Sequence, residues 1–413
     1  MRPKGGDFRG VTMKIGAGLL LLSTVLFTGC SGFWNLPAGS GGSGTGTTPT
    51  TLSSGPFYVL NQTTKQIVGY AISSGTLSTI SGGSETFLAA PQCIAISPTG
   101  GFLYVGTVGG IYLYSIASSG ALTAGSNGGI FNSGELPAVM QVDPSSSWLI
   151  AGYINGSNQV ELDAIPISAS NGSYAGAPGA ALPSQSFNIA NAAVKQMTIS
   201  PDGANVFVAL GAGGTIVVPF NSGNSNPLGA TARTIDVLNS GGNALSVAVD
   251  PTTRFFYIGE TLANSSASAG GLRVFNYASL DSGTLTQITG SPIASGGLSP
   301  NAILPLASGQ YVYVANGQGN TGAGNIAWFP LSASGTTYTI ASGSSTAAGI
   351  YPDGLAEDNE GNFVLAVSSG GSTSSGDYDL EAYTMSSGAL TLAIESNTGT
   401  DPVGAVAVAA VPK

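Results

Sequence analysis

The chain has 413 residues, of which only 7% are charged, and it contains 63 glycines and no histidine. Its apolar residues suffice for a large core, and the shortage of Lys and Glu excludes a fold built on long helices. With 10 basic and 20 acidic residues the net charge is -10, which argues against a basic surface for nucleic acid.

The N-terminus has the pattern of an exported protein. Basic residues ending at Lys14 precede an apolar run at residues 15–29, which has the length of a signal-peptide core and is too short to span a bilayer comfortably. The run ends in Phe27-Thr28-Gly29-Cys30, which resembles a bacterial lipobox with Phe27 at the position usually held by leucine. The resemblance implies that residues 1–29 are a lipoprotein signal peptide and that Cys30 is lipidated. An ordinary signal peptide or an uncleaved anchor is the alternative.

Acyl chains on Cys30 would hold the protein on a membrane. Ser31 stands where an aspartate would favour inner-membrane retention, so we expect a cell-envelope protein on the outer membrane, facing the periplasm or the cell surface. Residues 30–55 are rich in Gly, Ser and Thr and predict a flexible tether. The folded domain is therefore expected at residues 56–413.

A hairpin pattern recurs along the rest of the chain. Residues 94–107 read IAISPTGGFLYVGT, residues 197–210 read MTISPDGANVFVAL, and residues 247–260 read VAVDPTTRFFYIGE. Alignment on the turns gives seven units of roughly 46 to 57 residues, a period typical of propellers and solenoids. The strands are apolar on both faces, so both faces are expected to be covered. The sequence predicts an all-β, seven-bladed β-propeller with four antiparallel strands per blade, with an open solenoid as the alternative.

The two ends of the domain complement each other. Residues 57–61 (FYVLN) have the pattern of a second strand with no first strand before it, and residues 401–408 (DPVGAVAV) have the pattern of a first strand with nothing after it. The C-terminal strand is therefore expected to join the N-terminal blade and to close the ring.

The chain from Phe57 to Lys413 resembles the lactonase-type seven-bladed propellers, which include 6-phosphogluconolactonase-like proteins, and the YVTN-repeat surface propellers. The resemblance rests on the strands YVLN at residues 58–61, YVGT at 104–107 and YVAN at 313–316, and on the SPDG and SGALT tags. It implies a channel mouth that carries His, Arg and Glu in the family's enzymes. Glu260 resembles the family's glutamate, and no residue of this chain matches the histidines.

The residue before each first strand is expected to border one mouth of the central channel, because these strands line the axis. Four members of this ring are polar and are candidates for binding a small ligand, and two of them carry opposite charges. The predicted ring is Gln92, Ala138, Lys195, Leu245, Asn301, Asp353 and Val403.

Two functions fit these residues, and the sequence favours the one without catalysis. The first is a membrane-anchored binding or surface-interaction module, monomeric, with a protein, a glycan or a small polar ligand as partner. The second is a lactonase-like hydrolase of sugar lactones, with Glu260 or Asp353 as general base and Lys195 or Arg254 stabilising the anion.

No cofactor or metal is predicted. The sequence has no phosphate-binding glycine loop in the right context and no Cys/His metal set, and a Ser-His-Asp triad is impossible without histidine. Cys93 is expected to be a buried structural residue. Two groups of carboxylates fit solvated turns better than a calcium loop; they are Glu357, Asp358 and Glu360, and Asp377, Asp379 and Glu381.

Overall fold

The computed structural model describes residues 52–126, 130–132, 136–177, 180–263, 269–317, 324–335, 337–370, 379–395 and 404–413. The predicted signal peptide, Cys30 and most of the tether lie outside these residues. Within them, the structure contains thirty β-strands in seven sheets and a 3-10 helix at Tyr277–Leu280. The prediction of a seven-bladed, all-β propeller is confirmed.

Each blade is one antiparallel sheet, and in blades 2 to 7 its first strand lies next to the axis. Blade 1 contains β1 (Phe57–Asn61), β2 (Gln66–Ser73) and β3 (Thr76–Thr86). Blade 2 contains β4 (Pro91–Ile96), β5 (Phe102–Thr107), β6 (Gly110–Ile116), β7 (Leu122–Ala124) and β8 (Ile130–Asn132). Blade 3 contains β9 (Val139–Val142), β10 (Trp148–Ile154), β11 (Val160–Pro166) and β12 (Ser184–Phe187).

The remaining blades follow in chain order. Blade 4 contains β13 (Gln196–Ile199), β14 (Asn205–Ala209), β15 (Thr215–Pro219) and β16 (Arg233–Ile235). Blade 5 contains β17 (Ala244–Val249), β18 (Phe255–Glu260), β19 (Gly271–Asn276) and β20 (Ile293–Ala294). Blade 6 contains β21 (Pro300–Pro305), β22 (Tyr311–Asn316), β23 (Asn325–Ser334), β24 (Thr337–Ile340) and β25 (Ser345–Ala347). Blade 7 contains β26 (Pro352–Glu357), β27 (Phe363–Ser368), β28 (Leu380–Ser386) and β29 (Ala389–Glu395), and the chain ends with β30 (Ala405–Ala410).

The ring closes as the sequence predicts, because β30 is the inner strand of blade 1. It pairs antiparallel with β1, with Phe57 opposite Ala410 and Val59 opposite Val408. The predicted strand began at residue 401, whereas β30 begins at Ala405. Val403 lies outside the described residues, and the register places Val406 at the ring position that we had assigned to Val403.

The SGALT tag does not mark a strand in every blade. It leads into β7 in blade 2 and into β29 in blade 7. In blade 5 the related sequence SGTLT, at residues 282–286, follows the 3-10 helix at Tyr277–Leu280. There the chain makes only an isolated bridge between Phe275 and Gln287, and the fourth strand forms later, at Ile293–Ala294. The 3-10 helix uses the residues that would otherwise lead directly into an outer strand.

The core lies between neighbouring blades. Phe207 of blade 4 packs on Phe256 of blade 5 with ring centroids 5.2 Å apart, and Phe256 stacks on Phe275 at 4.8 Å. The second strands are buried along almost their whole length, which explains why they carry apolar side chains on both faces. Cys93 is also fully buried.

Tyrosine hydroxyls connect several neighbouring blades. Tyr58 donates to Gly120 O at 2.6 Å, Tyr104 to Gly172 O at 2.7 Å and Tyr313 to Gly388 O at 2.8 Å. Each acceptor glycine lies in an outer turn of the next blade. The three glycines have φ values of 81°, 69° and 88°, a conformation that glycine adopts without strain. Tyr257 occupies the equivalent position in blade 5, and its hydroxyl has no partner among the described residues.

We expect Tyr58→Phe, Tyr104→Phe and Tyr313→Phe each to lower the free energy of unfolding by about 1 kcal/mol, because each leaves a carbonyl without its donor. Tyr257→Phe is the matched control, since it removes a buried hydroxyl that makes no bond and is expected to be neutral or slightly stabilising. Urea unfolding of the four variants measures the difference. A loss for Tyr257→Phe equal to that of the other three would contradict the inter-blade role of these hydroxyls.

Candidate functional site

The inner strands share an irregularity at one end. In five blades the pairing of the inner strand with the second strand steps by one residue, so that an extra residue bulges out of the ladder. The bulged residues are Gln92, Leu245, Asn301, Asp353 and Val406. A bulge re-aims a side chain that would otherwise point between the blades. Four of the five bulged residues, namely Leu245, Asn301, Asp353 and Val406, line a cavity at the channel mouth.

In blades 3 and 4 the corresponding residues stand just before the inner strand. Ala138 donates its backbone N–H to Gly152 O at 3.0 Å, and Lys195 donates its own to Ala209 O at 2.9 Å. These bonds place both residues at the same level as the bulges. The predicted ring therefore exists, with Val406 as its seventh member.

A cavity of about 470 Å³ opens at this mouth, and Lys195, Asn301 and Asp353 all line it. The other lining residues occupy repeated positions as well. Four lie two residues before a bulge, three directly follow a second strand, one belongs to the blade 1 turn, and two are themselves bulged residues. They are Asn243, Ser299, Tyr351, Gln62, Thr261, Ser369, Thr63, Gly404, Leu245 and Val406.

Asp353 is the acidic residue of this cavity, and its side chain is buried. Burial raises the pKa of its carboxyl to about 7, although hydrogen bonds from Ser369 and Asn301 oppose the shift. The Asn301 Nδ2 donates to Asp353 Oδ1 at 2.9 Å and holds the carboxyl in place. A carboxyl with this pKa can accept and return a proton near neutral pH.

Lys195 is the basic residue of the cavity, and it is half-buried. Burial lowers the pKa of its ammonium group. The cavity thus contains one cationic and one anionic side chain, surrounded by hydroxyls and amides. This set of groups suits a small polar ligand better than a large apolar one.

Gln92 belongs to the ring but does not line the cavity. It is buried, and its Nε2 lies 3.4 Å from Ala90 O. Its Oε1 has no partner among the described residues. The structure therefore brings together three of the four polar ring residues and leaves Gln92 apart.

Glu260 is engaged in an ion pair. Its Oε1 accepts from Arg273 Nη1 at 2.6 Å, and its Oε2 accepts the backbone N–H of Leu238 at 2.9 Å. Both carboxylate oxygens are buried in this arrangement. Glu260 is not among the residues that line the cavity, and its buried ion pair with Arg273 gives it a structural role.

Arg254 lies at the opposite end of blade 5. It stands in the turn before β18, binds Asp250 Oδ2 at 2.8 Å and also donates to Gly309 O at 2.9 Å in blade 6. The whole length of β18, roughly 20 Å, separates it from the mouth. Arg254 joins two blades, and it cannot stabilise an anion in the cavity.

The carboxylates of the last blade belong to turns and strands. Asp358 accepts from the backbone N–H groups of Asn362 and Phe363 at 2.7 and 2.6 Å, which shapes the turn after β26. Glu381 accepts from Gly349 N, and Asp379 accepts from Gly404 N. Asp377 lies outside the described residues. Within the part of the chain that the structure describes, no group of three or more potential ligands could hold a metal ion.

Sequence reasoning did not identify most of the polar lining, although the repeat contained the information. Asn243, Ser299 and Tyr351 each precede a ring residue by two positions. Gln62, Thr261 and Ser369 each follow the last residue of a second strand. Alignment of these positions would have found them together.

The pKa of Asp353 leads to a prediction about stability. Because its pKa is raised in the folded state, protonated Asp353 stabilises the fold below about pH 4, and this stabilisation is lost as the pH rises through 7. Asp353→Asn should flatten the fall in unfolding free energy over that range, as measured by urea titrations at several pH values.

Glu357 is a second buried carboxyl, outside the cavity, for which the same pH dependence is expected. Burial also raises its pKa to about 7, but it lies at the far end of β26 and accepts from Ala307 N at 2.8 Å. Glu357→Gln should flatten the same pH dependence without touching the cavity. An unchanged profile in Asp353→Asn would contradict the raised pKa.

Comparisons with known proteins agree with this architecture. The model of the family described as "Lactonase, 7-bladed beta-propeller" matches residues 50–403. A provisionally assigned 6-phosphogluconolactonase from Bacteroides fragilis superposes with a TM-score of 0.64 at 16% identity, over 88% of this chain and 99% of that one. A periplasmic gluconolactonase from Pseudomonas aeruginosa gives a TM-score of 0.62 at 16% identity, over 87% of this chain and 100% of that one. No curated protein gives a significant match. The chain belongs to the family of seven-bladed β-propeller lactonases.

Proposed function

We propose that the protein hydrolyses a sugar lactone in the channel-mouth cavity, with Asp353 as the general base. One observation carries the proposal: a buried carboxyl whose pKa is about 7 lines a cavity of about 470 Å³ together with Lys195. The family to which the chain belongs is consistent with this chemistry. Asp353 takes the place of Glu260, which is paired with Arg273 and does not line the cavity.

The reaction needs one proton acceptor and one site for a developing negative charge. Ionised Asp353 takes a proton from a water molecule, whose oxygen attacks the lactone carbonyl carbon. The bond from the carbonyl carbon to the ring oxygen then breaks, and the leaving oxygen receives the proton from Asp353. The products are the open hydroxy acid and the regenerated carboxylate.

Lys195 and Asn301 have supporting roles in this mechanism. The Lys195 ammonium group stabilises the negative charge that forms on the carbonyl oxygen during attack. Asn301 keeps the Asp353 carboxyl oriented through its 2.9 Å hydrogen bond. Neither role requires a histidine, which this chain lacks.

The rate of lactone opening should rise with pH through about 7, because Asp353 acts in its ionised form. Asp353→Asn should lower kcat by about a hundredfold or more, since it removes the base. Glu357→Gln, at the far end of the same strand, should retain the activity of the unmodified protein. Hydrolysis is followed as acid release from D-glucono-1,5-lactone, corrected for the spontaneous reaction. Full activity in Asp353→Asn would exclude this residue as the base.

A second candidate is a binding module without catalysis, and two observations favour it. The chain has no histidine, and the glutamate that resembles the family's catalytic residue is engaged by Arg273. In that case the cavity would hold a small polar ligand through Lys195, Asn301 and Asp353. Saturable binding of the lactone, measured by calorimetry, without hydrolysis above background would support this second function.

We also propose that the protein is a lipoprotein of the bacterial cell envelope, anchored through Cys30. Residues preceding β1 bind the face opposite to the cavity, where Gly55 N donates to Asn359 Oδ1 at 2.8 Å and Asn362 Nδ2 donates to Ser53 O at 2.9 Å. A flexible tether with the length of residues 30–55 has an average end-to-end distance of roughly 25 Å. The anchored propeller would therefore direct its cavity away from the membrane. Among the residues described, no helix has the length and apolarity needed to cross a bilayer.

Substitution of the lipidation residue tests the anchor. Cys30→Ala should move the protein from the detergent phase to the aqueous phase after phase separation, because the acyl chains supply the membrane affinity. Cys93→Ala is the control, since Cys93 is buried in blade 2 and should not affect partitioning. Detergent partitioning of Cys30→Ala like that of the unmodified protein would exclude lipidation at this residue.

A further inference from the structure

We propose that the cavity selects an uncharged, polyhydroxylated ring lactone and discriminates against the phosphorylated form of the same lactone. The proposal rests on the hydrolytic function given above and adds the class of substrate. It is based on the charges that can reach the cavity, on the polar groups of its lining and on the position of Tyr351.

Lys195 is the one cationic side chain that lines the cavity among the described residues. The other five Lys and Arg residues of the propeller have acceptors elsewhere. Arg273 binds Glu260, Arg254 binds Asp250, Lys413 binds Glu360, Arg233 donates to Leu280 O and Gly283 O, and Lys65 lies 3.4 Å from Leu88 O.

The segments after residue 51 that the structure does not describe cannot supply another cation. They contain no Lys or Arg, and three of them contain an acidic residue, namely Glu135, Asp377 and Asp401. Whatever position these segments take, they can only add negative charge to their surroundings. A phosphate group usually needs several cations or a set of converging N–H donors.

With Asp353 ionised, the cavity lining holds one cation and one anion and therefore has no net charge. A phosphate dianion in the same cavity would repel the Asp353 carboxylate and favour its protonated form. A phosphorylated lactone would therefore bind more weakly than the uncharged form. It would also keep Asp353 protonated, and protonated Asp353 cannot take a proton from water. An uncharged lactone has neither effect.

The rest of the lining is polar and uncharged. Seven hydroxyl or amide side chains face the cavity, and each can donate to or accept from the hydroxyls of a sugar ring. They are Gln62, Thr63, Asn243, Thr261, Ser299, Asn301 and Ser369. A ligand rich in hydroxyl groups would replace the hydrogen bonds that water makes with these side chains.

Tyr351 adds a flat aromatic surface at the rim of the cavity. Its side chain is 39% exposed, and its φ is 56°, a strained value for an aromatic residue. Gly370 lies against the ring, and a Cβ there would come within 2.8 Å of Tyr351 Cδ2, so any larger residue would displace the tyrosine. An aromatic ring held in this way can pack on the C–H face of a sugar ring.

The test compares the full-length protein acting on D-glucono-1,5-lactone and on its 6-phosphate. We expect kcat/KM to be at least about tenfold higher for the uncharged lactone, the factor that corresponds to one unfavourable charge contact. Equal rates, or a preference for the phosphorylated lactone, would overturn the inference while leaving the hydrolytic function in place.

Binding measurements separate this inference from the proposed function. Calorimetry with D-gluconolactam, an uncharged analogue that resists hydrolysis, and with glucose 6-phosphate does not depend on turnover. We expect the lactam to bind and glucose 6-phosphate to bind at least about tenfold more weakly. If neither lactone is hydrolysed but this order of affinities holds, the hydrolytic function fails and the selectivity stands. Tighter binding of glucose 6-phosphate, or no binding of the lactam, would overturn the selectivity.

Two substitutions examine the physical origin of the selectivity. Asp353→Asn should increase the affinity for glucose 6-phosphate, because the cavity lining then has a net positive charge from Lys195. Tyr351→Ala should weaken lactam binding about tenfold, whereas Tyr351→Phe, which keeps the ring and the strained backbone, should not. Unchanged affinity for the phosphate probe in Asp353→Asn, or equal affinity of all three Tyr351 forms for the lactam, would contradict this explanation.

Discussion

The pairing of β30 with β1 is the interaction on which the rest of the structure depends. Without it, blade 1 lacks its inner strand, and the backbone edge of β1 is left unpaired. The pairing brings together residues that are about 350 positions apart in sequence, such as Phe57 and Ala410. It also joins the two ends of the chain in one sheet and so closes the ring.

The candidate site is a consequence of this closed ring. Its lining comes from blades 1, 4, 5, 6 and 7, and includes Gln62 and Val406 from the two ends of the chain. A bulge at the start of the inner strands turns Asn301 and Asp353 toward the axis, where burial raises the pKa of Asp353 to about 7. The bulge recurs in five of the seven blades, and in blades 6 and 7 it brings a polar side chain to the cavity.

The sequence predicted the fold well because its strands are apolar on both faces and its turns repeat. A closed ring of blades covers both faces of every strand. The sequence also placed Lys195, Asn301 and Asp353 on one ring, since alignment of the repeats determines the level of each residue along the axis. It failed where the answer depends on the three-dimensional neighbours. The pairing of Glu260 with Arg273 follows from the register of β18 and β19, and the position of β30 follows from its bulge against β1. Neither is visible in the spacing of residues.

We propose that the channel mouth, and not a surface loop, is where the lactone is hydrolysed. A crystal structure of the protein with D-gluconolactam tests it most directly. We predict that the lactam lies in the cavity between Lys195 and Asp353, with its carbonyl carbon accessible to a water molecule that is hydrogen-bonded to Asp353. A lactam bound elsewhere on the propeller, with the cavity holding only solvent at a saturating concentration, would contradict the account.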